Sequence, residues 1–358
     1  MTTPPRRAPA VELPDAVRVA LAASFRLADS GGVVRVAPVA RRGRMAQSAR
    51  VLVRETDGSL RTVFAKWPSS QGGIRRIARH SGAYRREVMF YRDLAGDCGT
   101  SVPRVHFSSY DPRTDAFVLL LQDLTGARPG DDADSSVADV RRTLRTIAHL
   151  HARWAADRPG RSPWLPTWHG PRTRRYVRFE LDRIARAAAQ GRFAHASAGP
   201  LLPLLADLGE RLGDFFERAV AGRQTLVHGD LHMDQVLLPD DADPVVVDWQ
   251  LVQRGPIGVD LARLVVMSLP AEQRRRHESD LLHAYGEALA EGGAPACAMG
   301  DLLDEYRRGI VWTAFVNTSY SLSCPADSAS DERGDVHDVL WDRVVEAADD
   351  HGLVQGRP

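Results

Sequence analysis

Two aspartates, Asp230 and Asp248, follow short apolar segments within the stretch TLVHGDLHMDQVLLPDDADPVVVDWQ. Apolar runs of this length between polar turns are typical of buried strands, so we expect both carboxylates at the ends of paired strands, facing one cleft. One carboxylate that accepts a proton and another that holds a divalent metal would suit phosphoryl transfer. That reaction depends mainly on positioning and on neutralising the charge of the phosphate oxygens.

A single lysine, Lys66 in the segment VFAKW, stands among 47 lysine and arginine residues. Arginine is the default cation of this chain, so a dispensable lysine would be replaced by arginine at little cost. The lysine ammonium is a compact point charge, whereas the guanidinium is planar, bulkier and suited to bidentate contacts. We therefore interpret Lys66 as a residue whose role requires an ammonium group. The alternative is a surface lysine retained by chance.

The first 120 or so residues have the pattern of a small antiparallel sheet with one main helix. Strands are predicted at Val33–Pro38, Arg50–Arg54 and Arg61–Trp67, with TDGS as a hairpin turn. Apolar residues at helical spacing predict a helix over 81–96. The segment PRVHFSSYDPRTDAFVLLLQDL predicts another hairpin, with Asp-Pro at its turn.

After the connector QDLTGARPGDDADSS the chain is predicted to be mainly helical. Six segments carry apolar residues at i, i+3 or i+4, and i+7: Val137–Trp154, Arg172–Gln190, Pro200–Ala221, Val259–Ser268, Glu272–Glu291 and Leu302–Ser321. The sequence therefore predicts an α+β fold with a flexible tail at 1–13, an N-lobe at 14–123 and a C-lobe at 124–358. A cleft between two lobes is the expected place for a small-molecule site.

Composition excludes several classes of partner. The 358 residues carry a net charge of +1, so no general field draws the protein onto nucleic acid or an anionic membrane. No apolar run is long enough to cross a bilayer, and the first ten residues lack the apolar core of a signal peptide. Cys98, Cys297 and Cys324 are scattered and odd in number, which is typical of thiols in a reducing compartment. We expect a cytoplasmic protein without nucleic-acid or membrane partners.

The sequence resembles the aminoglycoside phosphotransferase and choline kinase-like superfamily, whose members are small-molecule kinases. HGDLHMDQVLL matches the catalytic-loop pattern HGDxHxxN of that superfamily, and VVVDWQ matches the metal-binding strand that replaces DFG. The DWQ spelling, together with REVMFYRDL and FVLLLQDLTGARPGDD, is most similar to the bacterial ecdysteroid kinase-like branch. The motifs occur in the family's order and spacing over about residues 40–350.

This resemblance implies a bilobal protein-kinase-like fold and a set of functional residues. Asp230 would be the catalytic base or orienter of an acceptor hydroxyl, and Asp248 would coordinate Mg²⁺. Gln235 stands where the family usually has asparagine as the second metal ligand, so an added methylene separates its amide oxygen from the backbone. Lys66 would hold the nucleotide phosphates and pair with Glu87, which lies 21 residues further on in the predicted helix.

The resemblance is thinner at the phosphate cover and at the purine site. The stretch RRGRMAQSAR has only Gly43 where a protein kinase has GxGxxG, and Ser48 could offer a hydroxyl to a phosphate; an ordinary hairpin turn is the alternative. Gln122 lies in the expected hinge, Phe117–Leu124, whose backbone would meet the purine.

The implied partners are ATP or GTP, with Mg²⁺, and a small molecule that offers a hydroxyl. An antibiotic of the aminoglycoside, macrolide or nucleoside type is the first hypothesis for this acceptor, and a sugar or amino alcohol is the second. A catalytically inactive, nucleotide-binding regulator stays open because of Gln235 and the glycine-poor cover.

Alternative interpretations apply to two parts of the C-lobe motifs. His228, Asp230, His232 and Asp234 could form a hydrolase metal cluster, although HxDxH matches neither HxHxDH nor HExxH. Asp260 resembles the aspartate that anchors the catalytic loop in this superfamily, and a helix N-cap is an equally simple role for it.

Three further groups could contact an acceptor, but each also has a plain structural interpretation. The arginine-rich helix 172–186 is expected to be a solvated face. Aromatic residues at helical spacing favour core packing: Trp164, Trp168, Trp312 and Tyr320. Acidic residues near 301 favour an exposed helix start: Asp301, Asp304 and Glu305.

Overall fold

The structure is a computed structural model that describes residues 12–28, 32–39, 45–155, 162–168, 170–192, 199–322 and 334–354, with side chains from 339 onward in the last range. The chain divides into two units, Met1–Asp97 with Val102–Gly126 and Cys98–Ser101 with Ala127–Pro358.

The first unit is built on a five-stranded antiparallel sheet in the order β1-β2-β3-β5-β4. Its strands are β1 Val33–Pro38, β2 Ala46–Arg54, β3 Leu60–Pro68, β4 Val105–Asp111 and β5 Ala116–Gln122. The helices of this unit are α1 Asp15–Ser24, α2 Gly72–Ser81 and α3 Ala83–Asp93.

The two faces of this sheet have different partners. Residues of α1 pack in one buried cluster with Val51, Val63 and Ala65. Because side chains alternate along a strand, Lys66 belongs to the opposite face. On that face the rings of Tyr84 in α3 and Phe117 in β5 lie 4.6 Å apart. Packing against α3 therefore places this helix over the face that carries Lys66.

The predicted strands of this unit are confirmed. Strand β2 begins four residues earlier than expected, and β3 extends one residue further at each end. The helix predicted over 81–96 is α3. Two other helices were not predicted. In α1, Val17, Ala20 and Leu21 stand at helical spacing, so the apolar pattern of a helix was present in the sequence. In α2 that pattern is weak, because the helix begins with two glycines and buries only Ala78.

The second unit is mainly helical. Its helices are α4 Val137–Ala155, α5 Pro171–Ala189, α6 Leu201–Glu210, α7 Leu212–Ala221, α8 Gly258–Ser268, α9 Ala271–Glu291, α10 Met299–Ser321 and α11 Gly334–Asp350. All eleven residues of α8 are buried, as expected for a helix surrounded by others. All six predicted helical segments are confirmed, although Pro200–Ala221 is two helices, α6 and α7. Helix α11 was not predicted. None of the helices in the described ranges is long and apolar enough to span a membrane.

Short strands interrupt these helices around the two aspartates. They are β6 Arg128–Pro129, β7 Gln224–Val227, β8 Val236–Leu238, β9 Val245–Val246 and β10 Gln253–Pro256. The expectation that Asp230 and Asp248 follow two strands paired with each other is wrong. Strand β7 pairs with β10, whereas β9 pairs with β8. These four strands are only two to four residues long, so their apolar content could not reveal which of them pair.

Candidate functional site

Lys66 forms a buried ion pair in the first unit. Its Nζ lies 2.7 Å from Oε1 of Glu87, and the two residues are 8% and 2% exposed. Strand β3 supplies the lysine and α3 supplies the glutamate. A buried ammonium is stable only when its charge is compensated, so the pair explains how this side chain is held. Because Lys66 is buried, the alternative of a surface lysine retained by chance is excluded.

The other nucleotide residues predicted in this unit have distinct positions. Ser48 lies within β2, not in a loop, and is the cross-strand partner of Lys66, so both side chains belong to one face of the sheet. Gln122 ends β5; its N–H donates to Arg104 O at 2.7 Å, and its side-chain Oε1 accepts from Arg104 N at 3.3 Å. Gly43 lies outside the described residues.

In the second unit, Asp260 anchors the segment that follows β7. Its two carboxylate oxygens accept hydrogen bonds from His228 N at 2.6 Å and Gly229 N at 2.8 Å. Gly229 has φ +86°, and a Cβ there would lie 2.4 Å from Leu251 O, so only glycine fits this turn. Asp260 is fully buried and does not cap α8, whose N-cap residue is Ile257. Of its two predicted roles, loop anchor is therefore the confirmed one.

The Asp230 carboxylate is held through one oxygen. Arg263 of α8 places Nε 2.7 Å and Nη2 2.6 Å from Oδ1, and its Nη1 donates to Asn317 Oδ1 at 2.9 Å. In the described part of the chain, Oδ2 receives no hydrogen bond. Burial by itself raises the pKa of Asp230, but the charges of Arg263, then His232 and His228, outweigh it and hold the pKa below its ordinary value. Asp230 is thus a fixed, ionised carboxylate with one oxygen available.

Asp248 and Gln235 lie close together through the β8–β9 hairpin. Val247 N donates to Gln235 O at 2.9 Å, so the two residues flank the same end of this hairpin. Asp248 has φ +65° and ψ +57°, a left-handed conformation that is uncommon outside glycine and costs about 1–3 kcal/mol. A carboxylate and an amide oxygen are hard donors of the kind that Mg²⁺ prefers, so this pair fits a magnesium ion.

His228 connects the two aspartate segments. Its Nδ1 accepts from Asp230 N at 3.3 Å, and its Nε2 lies 2.9 Å from Val247 O, next to Asp248. The ring also packs edge-on against Trp249, with centroids 4.7 Å apart. Both ring nitrogens are engaged in holding backbone, so His228 is not placed as a ligand in the alternative hydrolase cluster.

The remaining C-lobe groups follow their structural interpretations only in part. Trp168 and Trp312 are buried, with tilted rings whose centroids lie 4.4 Å apart, whereas Trp164 and Tyr320 are half-buried. The arginine-rich face of α5 is largely exposed. Asp301 and Asp304 are exposed, whereas Glu305 is buried and accepts a hydrogen bond from Arg223 N at 2.9 Å. The expected exposure is wrong for Glu305, because its carboxylate accepts a backbone N–H from the segment after α7.

A sequence profile described as "Phosphotransferase enzyme family" matches residues 41–297, more than half of the chain. The chain belongs to the phosphotransferase enzyme family. This confirms the family predicted from HGDLHMDQVLL and VVVDWQ.

The phosphotransferase also has a curated relative, the uncharacterized kinase-like protein D1044.1 of Caenorhabditis elegans. The two are 22% identical over 216 residues, which make up 56% of this chain and 55% of the relative. The chain thus spans about half the length of that relative.

Solved structures resemble the phosphotransferase over nearly its whole length. Macrolide 2'-phosphotransferase MphH from Brachybacterium faecium has a TM-score of 0.55 at 19% identity, covering 92% of this chain and 98% of that one. Choline kinase LicA from Streptococcus pneumoniae has a TM-score of 0.56 at 13% identity, covering 94% and 98%. Amicoumacin kinase hAmiN has a TM-score of 0.57 at 11% identity, covering 94% of each chain. At such identities the likeness establishes the fold, and the predicted kinase-like fold is confirmed.

Sequence reasoning missed Arg263 of the phosphotransferase. It lies three residues after Asp260 in the segment VDLARL, one helical turn further along α8, which places it on the same side of the helix. A lone arginine in an otherwise apolar helix was the available signal, because a buried guanidinium needs a carboxylate partner. The frequency of arginine in this chain obscured that signal.

Proposed function

We propose that this protein transfers the γ-phosphate of ATP or GTP to a hydroxyl group of a small molecule. The observation that carries this proposal is the state of Asp230, whose Oδ1 is fixed by Arg263 while Oδ2 receives no hydrogen bond from the described residues. Such an oxygen is suited to accept a hydrogen bond from a substrate hydroxyl. Family membership and the buried pair of Lys66 and Glu87 support the same reaction.

In the proposed step, Asp230 Oδ2 orients the acceptor hydroxyl toward the γ-phosphorus. A new P–O bond forms to the hydroxyl oxygen, while the bond between the γ-phosphorus and its bridging oxygen breaks and the nucleoside diphosphate leaves. The hydroxyl proton passes to Oδ2 and then to solvent. Because its pKa is held low, Asp230 is a weak base. Its main contribution is therefore orientation, which suits a loose transition state that develops little demand for proton removal.

Lys66 would bind the α- and β-phosphates while Glu87 keeps its ammonium in place, with Ser48 beside it on the same sheet face. Asp248 and Gln235 would hold Mg²⁺. The bound ion would neutralise charge on the nucleotide phosphates. Gln122 and Gly43 would complete the nucleotide site, at the hinge and the phosphate cover respectively.

For the acceptor, we propose an antibiotic of the aminoglycoside, macrolide or nucleoside type, and inactivation of that antibiotic as the outcome. Two of the structurally similar proteins are described as a macrolide phosphotransferase and an amicoumacin kinase, the latter in complex with AMP-PNP and Ca²⁺. A metabolite acceptor such as an amino alcohol is the second candidate, because a choline kinase shares the fold to a similar degree. We further propose that the protein acts in the cytoplasm, where ATP and GTP are available.

A nucleotide-consumption screen over hydroxyl compounds tests the proposal. ATP and GTP are offered with Mg²⁺ to antibiotics, sugars and amino alcohols, and each hit is checked by mass spectrometry for one added phosphate. We expect a phosphorylated product with the wild type and none with Asp230→Ala, while nucleotide binding persists. Nucleotide binding without any product, and without slow hydrolysis of the nucleotide, would instead indicate an inactive regulator.

Lys66→Arg tests the nucleotide half separately. The planar guanidinium keeps the charge but does not match the compact ammonium between phosphates and Glu87, so nucleotide use should fall severely. Arg61→Lys serves as the control, because Arg61 lies on the same strand and its side chain is exposed. Near-normal kinetics in Lys66→Arg would show that the lysine is not required as such.

A further inference from the structure

A segment remote in sequence lies along the loop that carries Asp230. Strand β6 pairs with β8, and Gly130 N donates to Val236 O at 2.8 Å. A Cβ on Gly130 would lie 2.2 Å from Met233 O, so this close approach requires glycine. The chain immediately after Gly130 is thereby brought to His232.

Asp132, at the end of this segment, is 2% exposed and is joined to the loop at three points. Its Oδ2 lies 2.6 Å from His232 Nδ1. Its Oδ1 accepts from Asp234 N at 3.3 Å, and its own N–H donates to Asp234 Oδ1 at 3.2 Å. These carboxylates and the imidazole lie close enough together to suggest a metal site. The hydrogen bonds among them instead hold the two segments together as a structural clasp.

The second ring nitrogen of His232, Nε2, faces Asp230 and Gln235. It is 3.9 Å from Asp230 Oδ1 and 3.4 Å from the side-chain nitrogen of Gln235. Burial by itself lowers the pKa of His232, but Asp132 and then Asp230 raise it to about 9.

Arg343 of α11 holds the same segment from the other side. One nitrogen, Nη1, donates to both Asp132 O and Met267 O at 2.6 Å, and the residue is 5% exposed. Met267 lies in α8, the helix that also supplies Arg263 and Asp260. The position of Asp132 is therefore fixed relative to the helix that holds Asp230.

We propose that Asp132 is a positioning residue, which orients the His232 ring and through it the Asp230 and Gln235 side chains. This inference rests on the proposed function, because Asp230 and Gln235 have their roles only in that reaction. A carboxylate that fixes the ring orientation and tautomer of a histidine is a general device in catalytic and metal sites. Here the histidine bears on two functional side chains at once.

Asp132→Asn tests the inference, with Asp134→Asn as the matched control at an exposed aspartate of the same loop. We expect Asp132→Asn to lower kcat about 10- to 100-fold, the usual cost of removing such a partner. Asp134→Asn should retain wild-type kinetics. Rates are measured well below the melting temperature of each variant, so that a change in stability alone would not alter kcat.

His232→Asn provides a second test that does not disturb Asp132. The shorter amide can keep a donor near the position of Nδ1 but does not reach Asp230 or Gln235, so kcat should fall as in Asp132→Asn. The ¹⁵N shifts of His232 should move in Asp132→Asn and stay unchanged in Asp134→Asn.

The outcomes separate this inference from the proposed function. Wild-type kcat in both Asp132→Asn and His232→Asn, with Asp230→Ala inactive, would overturn the positioning role and leave the function intact. An active Asp230→Ala would refute the function itself. A lower melting temperature for Asp132→Asn with unchanged kcat would also overturn the inference, because it would show a purely structural clasp.

Discussion

Two buried arginines of the second unit bind carboxylates with opposite results. Arg263 directs two nitrogens to Oδ1 of Asp230 and leaves Oδ2 without a hydrogen bond from the described residues. Arg274 of α9 instead belongs to a cluster in which the partner carboxylate is fully used, although the Arg274 Nε itself has no hydrogen-bond partner among the described residues. Both oxygens of Glu278 in that cluster have partners, since Oε2 accepts from Arg274 and Tyr306, and Oε1 contacts His351 at 2.8 Å.

The difference indicates what each cluster contributes. Arg274 also contacts Asp350 at the end of α11, and Glu278 accepts from Tyr306 of α10, so the cluster joins α9, α10 and α11. Every acceptor used there stabilises the fold. At Asp230 the same kind of ion pair fixes a carboxylate but leaves part of its hydrogen-bonding capacity for a ligand. A buried ion pair with an incompletely used carboxylate is therefore a better indicator of a site than an ion pair alone.

The largest contrast is expected between Asp230→Asn and Glu278→Gln. The first should lower kcat about 10³-fold, because the substrate hydroxyl loses its acceptor, and should also lower the free energy of unfolding, because the buried Arg263 loses its charged partner. The second should lower the free energy of unfolding by about 2 kcal/mol, the cost of weakening hydrogen bonds to a charged group, with kcat unchanged. Urea denaturation and steady-state rates measure the two quantities. A stability loss in Asp230→Asn with normal kcat would remove the contrast.

Contacts between elements differ in how well the sequence predicts them. Lys66 and Glu87 could be paired because strand and helix periodicities were clear and the family resemblance implied the pair, which the structure contains. Asp132 and His232 are 100 residues apart, and no local pattern reports which distant segment lies beside a loop. The partner of β7 could not be predicted either, because very short strands carry too few side chains to specify their register.

Arg263→Met is expected to change catalysis at a smaller scale than loss of Asp230. The methionine fills similar volume but releases Oδ1, and a misplaced carboxylate should lower kcat about 10²-fold. The pH profile should change as well. In the wild type the low pKa of Asp230 keeps the carboxylate ionised, so activity persists to a pH below the ordinary aspartate pKa of about 3.9. Without Arg263, burial raises that pKa, and the acidic limb of kcat should move to higher pH.

Arg274→Met is the matched control for this variant. It leaves Glu278 and Asp350 as carboxylates without their buried guanidinium, which should lower the free energy of unfolding by about 3–5 kcal/mol. The acidic limb of kcat should stay where it is in the wild type, measured below the melting temperature of the variant. An equal displacement of the limb in both variants would mean that loss of stability, and not the orientation of Asp230, sets the profile.

The smallest effects should come from the neutral partners of the two arginines. Asn317→Ala removes the acceptor of Arg263 Nη1, and Tyr306→Phe removes a donor to Glu278. Each loses one hydrogen bond to a charged group, worth about 1.5–3 kcal/mol at most. In Asn317→Ala the freed guanidinium can still bind Asp230, so the loss should appear as a drop in kcat of only about fivefold, near 1 kcal/mol in activation free energy. In Tyr306→Phe it should appear entirely in the free energy of unfolding, because Glu278 keeps Arg274 and His351 and contacts no reacting group.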